Sequence, residues 1–150
     1  MDKRESLMAD AELNVYEAAG GEPVFRRLVE VFYARVEADP VLRPMFPEDM
    51  EPGKHWQQLF LMQLFGGPSL YAQERGHPRL RMRHLPFPID NDGRDRWLRC
   101  MLEAIDEVGI ADPARSAMQD YFERASTFMV NTEPTASNVL QWGTPRDKSE

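Results

Sequence analysis

Prolines at 78, 86 and 88 forbid one long helix through the basic stretch from Ser69 to Pro88, since each removes a backbone donor and crowds the turn before it. On both sides of that break, apolar residues recur at helical spacing. Before it, Tyr16 and the pair Gly20–Gly21 read as a short helix ended by a glycine stop. Phe25, Leu28, Phe32 and Val36 then recur every three or four places, with Val29 widening the stripe, until Asp39–Pro40 ends the helix. A turn follows to Met45–Phe46–Pro47. Pro47 restricts Phe46 to an extended or turn shape, so its ring can be pushed inward from a corner. A further helix is predicted from about Pro52 to Phe65, carrying Trp56, Leu59, Phe60 and Gln63, and Gly66–Gly67–Pro68 stops it. After the break, Trp97, Met101, Ile105 and Val108 define one face, ended near Gly109. Asp112–Pro113 supplies a cap and a first-turn proline, and Met118, Phe122, Ala125 and Met129 form the last stripe. No stretch alternates long enough for a strand, so the fold class is all-α.

A chain of 150 residues is one domain's worth of core. Residues 1–10 are charged and aperiodic and are expected to be a flexible extension. Residues 11–132 form the domain. The end, EPTASNVLQWGTPRDKSE over 133–150, reads as a largely flexible tail in which Leu140 and Trp142 either dock back, meet a partner or face solvent. With 18 basic and 25 acidic residues the formal charge is -7, which argues against nucleic acid as a partner. No run of 18 apolar residues exists to span a membrane, and MDKRESLMAD leads into no apolar leader segment. The single cysteine, Cys100, cannot form an internal disulfide. It reads as a small buried hydrophobe, and a reducing cytoplasm is the simplest home for the chain.

The three histidines, His55, His77 and His84, follow no zinc spacing, and no phosphate-binding glycine pattern is present. The carboxylates Glu48–Asp49 and Asp90–Asn91–Asp92 fall at turns and helix starts, where capping explains them. His84 stands beside Leu85, Pro86 and Phe87. Taken alone, a histidine so placed is more often a packed, hydrogen-bonded turn residue. Its apolar neighbours would also suit a neutral imidazole ligating a haem iron. His77, before Pro78, reads as a loop anchor, and His55 beside Trp56 as solvent-facing or lining an entrance. Tyr33 is either an interfacial tyrosine or a hydroxyl donor to a bound diatomic molecule. Gln57 is either a hydrated helix residue or an amide that donates to such a ligand or orients Tyr33. Trp97 is either a core plug or an indole N–H turned into the cavity. Arg75, Arg79, Arg81 and Arg83 form a solvated loop face, unless Arg79 or Arg81 pairs with haem propionates.

The blocks YEAAGG, FYARVEADPVLRPMFPED, QLFGGP, YAQERGHPRLRMRHLPFPI, RWLRCM and MVNT occur in an order and spacing that resembles the truncated haemoglobins, specifically their second group, from about Val15 to Thr132. The resemblance implies a two-over-two helical sandwich with little regular helix before a proximal histidine at His84. It implies that Tyr33 is the distal tyrosine, Phe46 the aromatic wedged against the haem face and Trp97 the distal tryptophan. Gly53 and Gln57 then lie on the distal helix, Gly53 where larger globins usually carry a histidine. Many members carry leucine at the Gln57 position, and some carry tyrosine at Phe46, so this chain gains an amide and loses a hydroxyl.

The implied function is a haem b (iron protoporphyrin IX) protein that binds oxygen, carbon monoxide and nitric oxide reversibly at a His84-ligated iron. Tyr33, Gln57 and Trp97 would stabilise the bound ligand, and Phe46, Arg79 and Arg81 would contact the haem. Two other classes stand beside it. One is a haem-dependent redox enzyme, a nitric oxide dioxygenase or peroxidase, fed by an external reductase. The other is a non-haem helical interaction module. A homodimer is compatible with the sequence, which exposes no interface for it.

Overall fold

A computed structural model describes residues 14–77 and 89–131. Helix α1 (Val15–Ala19) is capped by Asn14, whose Oδ1 accepts from Glu17 N at 2.9 Å. The same side chain donates from Nδ2 to Gly66 O at 2.9 Å, so one residue both starts α1 and fastens it to a distant turn. Helix α2 (Glu22–Ala38) places a proline in its first turn, where a missing N–H costs nothing. Its buried face is Phe25, Leu28, Val29, Phe32, Tyr33 and Val36, the predicted stripe widened by Tyr33.

Asp39 ends α2 and organises the turn beyond it. Its carboxylate accepts from Val41 N (2.8 Å) and Leu42 N (3.0 Å) and pairs with Arg96 at 3.2 Å. A 3-10 turn (Arg43–Met45) leads to Phe46, whose backbone is extended as Pro47 requires. The Arg43 guanidinium donates to the carbonyls of Phe46, Pro47 and Glu48 at 3.1–3.3 Å and so clamps this corner.

Helix α3 (Glu51–Leu64) follows, then a short α4 (Leu70–Arg75). The sequence pattern assigns no helix to residues 70–75. Six residues carry too little periodicity to be seen, but α4 fits before Gly76 and the proline at 78, and Gln63 Oε1 accepts from Ala72 N at 2.8 Å to hold it on α3. Helix α5 (Asn91–Val108) is capped by Asp90, whose side chain accepts from Gly93 N at 2.8 Å. It ends on Gly109 in the left-handed conformation, φ 86°, which a residue with a Cβ adopts only under strain. Helix α6 (Ala114–Met129) starts where Asp112 accepts from both N and Oγ of Ser116. Its buried residues are Ala114, Met118, Phe122 and Ser126 rather than the predicted run through Ala125 and Met129. Ser126 can sit inside because its hydroxyl donates to Glu123 O at 3.1 Å.

Helix α2 packs against both α3 and α5, α5 against α6, α1 against α6, and α4 against α3. Two antiparallel pairs, α2/α3 and α5/α6, thus enclose one core in a two-over-two sandwich. Phe25, Phe32, Phe122, Leu28, Met101, Ile105 and Met118 lie fully inside it, and Cys100 is buried as predicted. Among the described residues there is no strand, and no helix is long and apolar enough to cross a membrane.

Candidate functional site

Two elements meet Tyr33 of α2: the corner that carries Phe46, and helix α3. The residue sits on α2 with 6% of its surface exposed, beside Phe32, whose ring meets it edge-on at 5.5 Å. Phe46, delivered by the Arg43-clamped corner, meets the other side of Tyr33 edge-on at 5.8 Å. The hydroxyl points at α3. A Cβ placed on Gly53 would lie 2.8 Å from Tyr33 Oη, closer than carbon and oxygen can approach without displacement. The bare Cα of Gly53 is therefore what lets the hydroxyl lie against this helix. Gln57 is one turn further along α3 on the same face. Its Oε1 is buried and has no hydrogen-bond partner among the described residues. Leaving a buried polar atom unpaired costs about 1–3 kcal/mol, a cost that a ligand or water at this place would remove.

Trp97 reaches the group from α5. Its ring packs edge-on against Phe32 at 5.3 Å, so Phe32 stands between Tyr33 and Trp97. No hydrogen bond joins the Tyr33 hydroxyl or the Trp97 indole N–H to another described residue. Burial pushes the Tyr33 phenol up to about 12, partly offset by the ammonium of Lys54. At neutral pH Tyr33 is therefore an un-ionised O–H donor seated on Gly53, one helical turn from the Gln57 amide.

His84, Arg79 and Arg81 lie outside the described residues. The described chain resumes at Ile89, held at both polar groups by Asn131. Ile89 N donates to Asn131 Oδ1 at 2.9 Å, and Asn131 N donates to Ile89 O at 2.9 Å. His55 is exposed and faces Glu74 at 3.2 Å, while Arg75 lies 4.8 Å over the Trp56 ring. These contacts tie α4 to α3. Among the described residues no group of three or more histidines, cysteines, aspartates or glutamates is placed to hold a metal ion.

Three contributions escaped the sequence reading. Phe32 reads only as core, although it is also the partition between Tyr33 and Trp97. Asn131 lies in the block MVNT, but nothing in its spacing points to Ile89, 42 residues earlier. Lys54, beside Gly53, belongs to no pattern that singles it out in the sequence.

The family model for bacterial-like globins matches residues 14–131. The group 2 truncated hemoglobin YjbI of Bacillus subtilis (strain 168) is 47% identical over 116 residues, covering 77% of this chain and 87% of its own. A crystal structure of the hemoglobin from the thermophilic phototrophic bacterium Chloroflexus aurantiacus is 60% identical, covers 80% of this chain and 99% of its own, and superposes with a TM-score of 0.78. The truncated oxygen-avid haemoglobin from Bacillus subtilis is 45% identical over 79% of this chain and all of its own, with a TM-score of 0.76. With the sandwich, the glycine-seated tyrosine and these matches together, the chain belongs to the group II truncated haemoglobins.

Proposed function

We propose that the protein binds haem b through His84 and takes up molecular oxygen reversibly, with carbon monoxide and nitric oxide as alternative ligands. One observation carries the reading: a buried phenolic hydroxyl seated on Gly53, with an unpartnered amide oxygen of Gln57 one turn away. The residues present fit a haem. They offer the partly exposed aromatic rings of Phe46 and Trp97, and a buried polar atom that lacks the partner a ligand would bring.

When bound, haem supplies an iron at which a diatomic molecule coordinates and gathers partial negative charge. The rest falls to the chain. His84 would hold the cofactor, with Arg79 or Arg81 pairing its propionates and Phe46 packing on its face. Tyr33 would donate its O–H to the ligand, and its high pKa keeps that proton in place throughout the neutral range. The Gln57 amide carries both a donor end and an acceptor end, so it can add a second donor or accept from Tyr33 and orient it. Trp97 would contribute an indole N–H from the α5 side. Phe32 keeps water from the space between the two donors. Each hydrogen bond to a charged group is worth roughly 1.5–3 kcal/mol, and each 1.4 kcal/mol slows release about tenfold. Tight retention accords with the relative described as oxygen-avid.

Absorption spectra of the purified protein in ferric, ferrous and carbon-monoxide-bound forms test cofactor and axial ligand together. Oxygen release from Tyr33→Phe, followed by stopped-flow displacement with carbon monoxide, should be about tenfold faster than from the parent, the loss of one hydrogen bond. A colourless protein rejects the haem reading; an unchanged release rate removes Tyr33 from the ligand.

A further inference from the structure

Helices α2 and α3 meet with Tyr33 Oη against Gly53, and an ionic staple joins the two helices beside that contact. Glu30 lies three residues before Tyr33 on α2, hence on the same face, and Lys54 directly follows Gly53 on α3. Lys54 Nζ lies 3.1 Å from Glu30 Oε1 across the crossing and 3.0 Å from Glu51 Oε2 within its own helix. The lysine side chain is only 21% exposed, whereas the two carboxylates are 57% and 74% exposed. Its stem is thus laid along the crossing and its charged end held between two acids at the rim.

We propose that Lys54 is a positioning residue: by bridging Glu30 and Glu51 it fixes the α2–α3 spacing at Gly53 and holds the Tyr33 hydroxyl in one place. This rests on the reading of Tyr33 as the donor to the ligand. Exposed ion pairs normally add little to stability, so the effect is one of geometry at the site rather than of fold strength. Two features mark it off from an ordinary surface pair. The bridge spans the two helices that present Tyr33 and Gly53. Its cation is also close enough to the phenol to oppose the effect of burial on it. Without the bridge, apolar contacts alone set the spacing. A hydroxyl resting on a bare Cα has no Cβ to stop it sliding along the helix.

The test uses the full-length, haem-loaded ferrous protein and two readouts: the infrared stretching band of added carbon monoxide and the rate of oxygen release. Tyr33→Phe defines the position of the band when the hydroxyl is missing. Lys54→Met should split the band or move it towards that position and speed release about threefold, part of one hydrogen bond. The thermal midpoint should change little. Glu30→Gln should act in the same direction, and Lys54→Arg should restore the parent band. In the Tyr33→Phe background, Lys54→Met should change neither readout further, because its effect passes through the hydroxyl.

The proposal is overturned if Lys54→Met matches the parent while Tyr33→Phe does not. It is also overturned if Lys54→Met moves the band equally with and without the hydroxyl, which would make the cation act directly on the ligand. A Tyr33→Phe protein identical to the parent in both readouts overturns the donor reading itself, and this one with it.

Discussion

The Tyr33 phenol ionises at about 12 in the folded protein because burial removes the water that would solvate a phenolate, with Lys54 pulling weakly the other way. In the unfolded chain the same group ionises near its ordinary value of 10.0. Between those two pH values the unfolded chain has lost the proton and the folded chain keeps it, so stability falls as pH rises. Below pH 10 the contribution is complete and flat. From about pH 9 to about pH 11 the loss due to this one group is about 1.4 kcal/mol. Chemical denaturation at the two pH values should therefore show the parent losing about 1.4 kcal/mol more than Tyr33→Phe. Equal losses would mean that the phenol is solvated. At this scale the sequence was legible only through its family motif. The periodicity of α2 leaves Tyr33 beside the buried stripe rather than in it, and says nothing of a hydroxyl that meets a glycine on another helix. The same pattern made Phe32 a core residue without revealing which two rings it divides. Periodicity identifies a face; it is blind to the partner across it.

The helices themselves were read well where glycine, proline and acidic caps punctuate them. Asp90 and Gly109 bound α5, and the Gly66–Gly67–Pro68 run ends α3, because each changes what the backbone can do locally. Reading failed where an element depends on a distant contact. Helix α4 is held by Gln63, and the return of the chain at Ile89 is held by Asn131, neither through local pattern. The second of these makes a prediction about an element boundary. Ile89 lies five residues beyond His84, and Asn131 satisfies both its N–H and its carbonyl. Asn131→Ala removes the acceptor for a half-buried N–H, at about 1 kcal/mol, and should lower the melting temperature by about 4 °C. If His84 holds the haem, the same change should speed haem transfer to an apo-globin acceptor, since the segment bearing the ligand loses an anchor. Asn131→Asp, which keeps the accepting oxygen, should be milder in both assays. A variant with parental melting and parental haem retention would show that the clamp at Ile89 holds nothing else in place.

Across the whole molecule, the core and the wall of the site are built from the same rings. Phe32 is fully buried, meets Tyr33 and Trp97, and Trp97 in turn meets Phe122 edge-on at 5.9 Å on α6. A line of aromatics thus runs from the Gly53 contact to the far helix pair, and one side chain cannot be altered for stability without altering the site. The all-α class and the two groups of helices on either side of the proline break were visible from spacing alone. How the pairs cross was not, because crossing is decided by these inter-helix ring contacts. The coupling is testable at its centre. Phe32→Ala should cost about 3–5 kcal/mol through lost burial and the cavity left behind, lowering the melting temperature by 10 °C or more on the order-of-magnitude scale for a domain of this size. Phe32→Leu refills most of that volume and should cost far less, yet it removes the flat partition between Tyr33 and Trp97. The two variants therefore separate the two duties. Melting should rank parent, Leu, Ala in descending order. If Tyr33 and Trp97 donate to the bound ligand as proposed, oxygen release should be faster in both, because water reaches them once the ring is gone. If Phe32→Leu instead melts near the parent and releases oxygen at the parental rate, the ring serves the core alone and has no second duty between Tyr33 and Trp97.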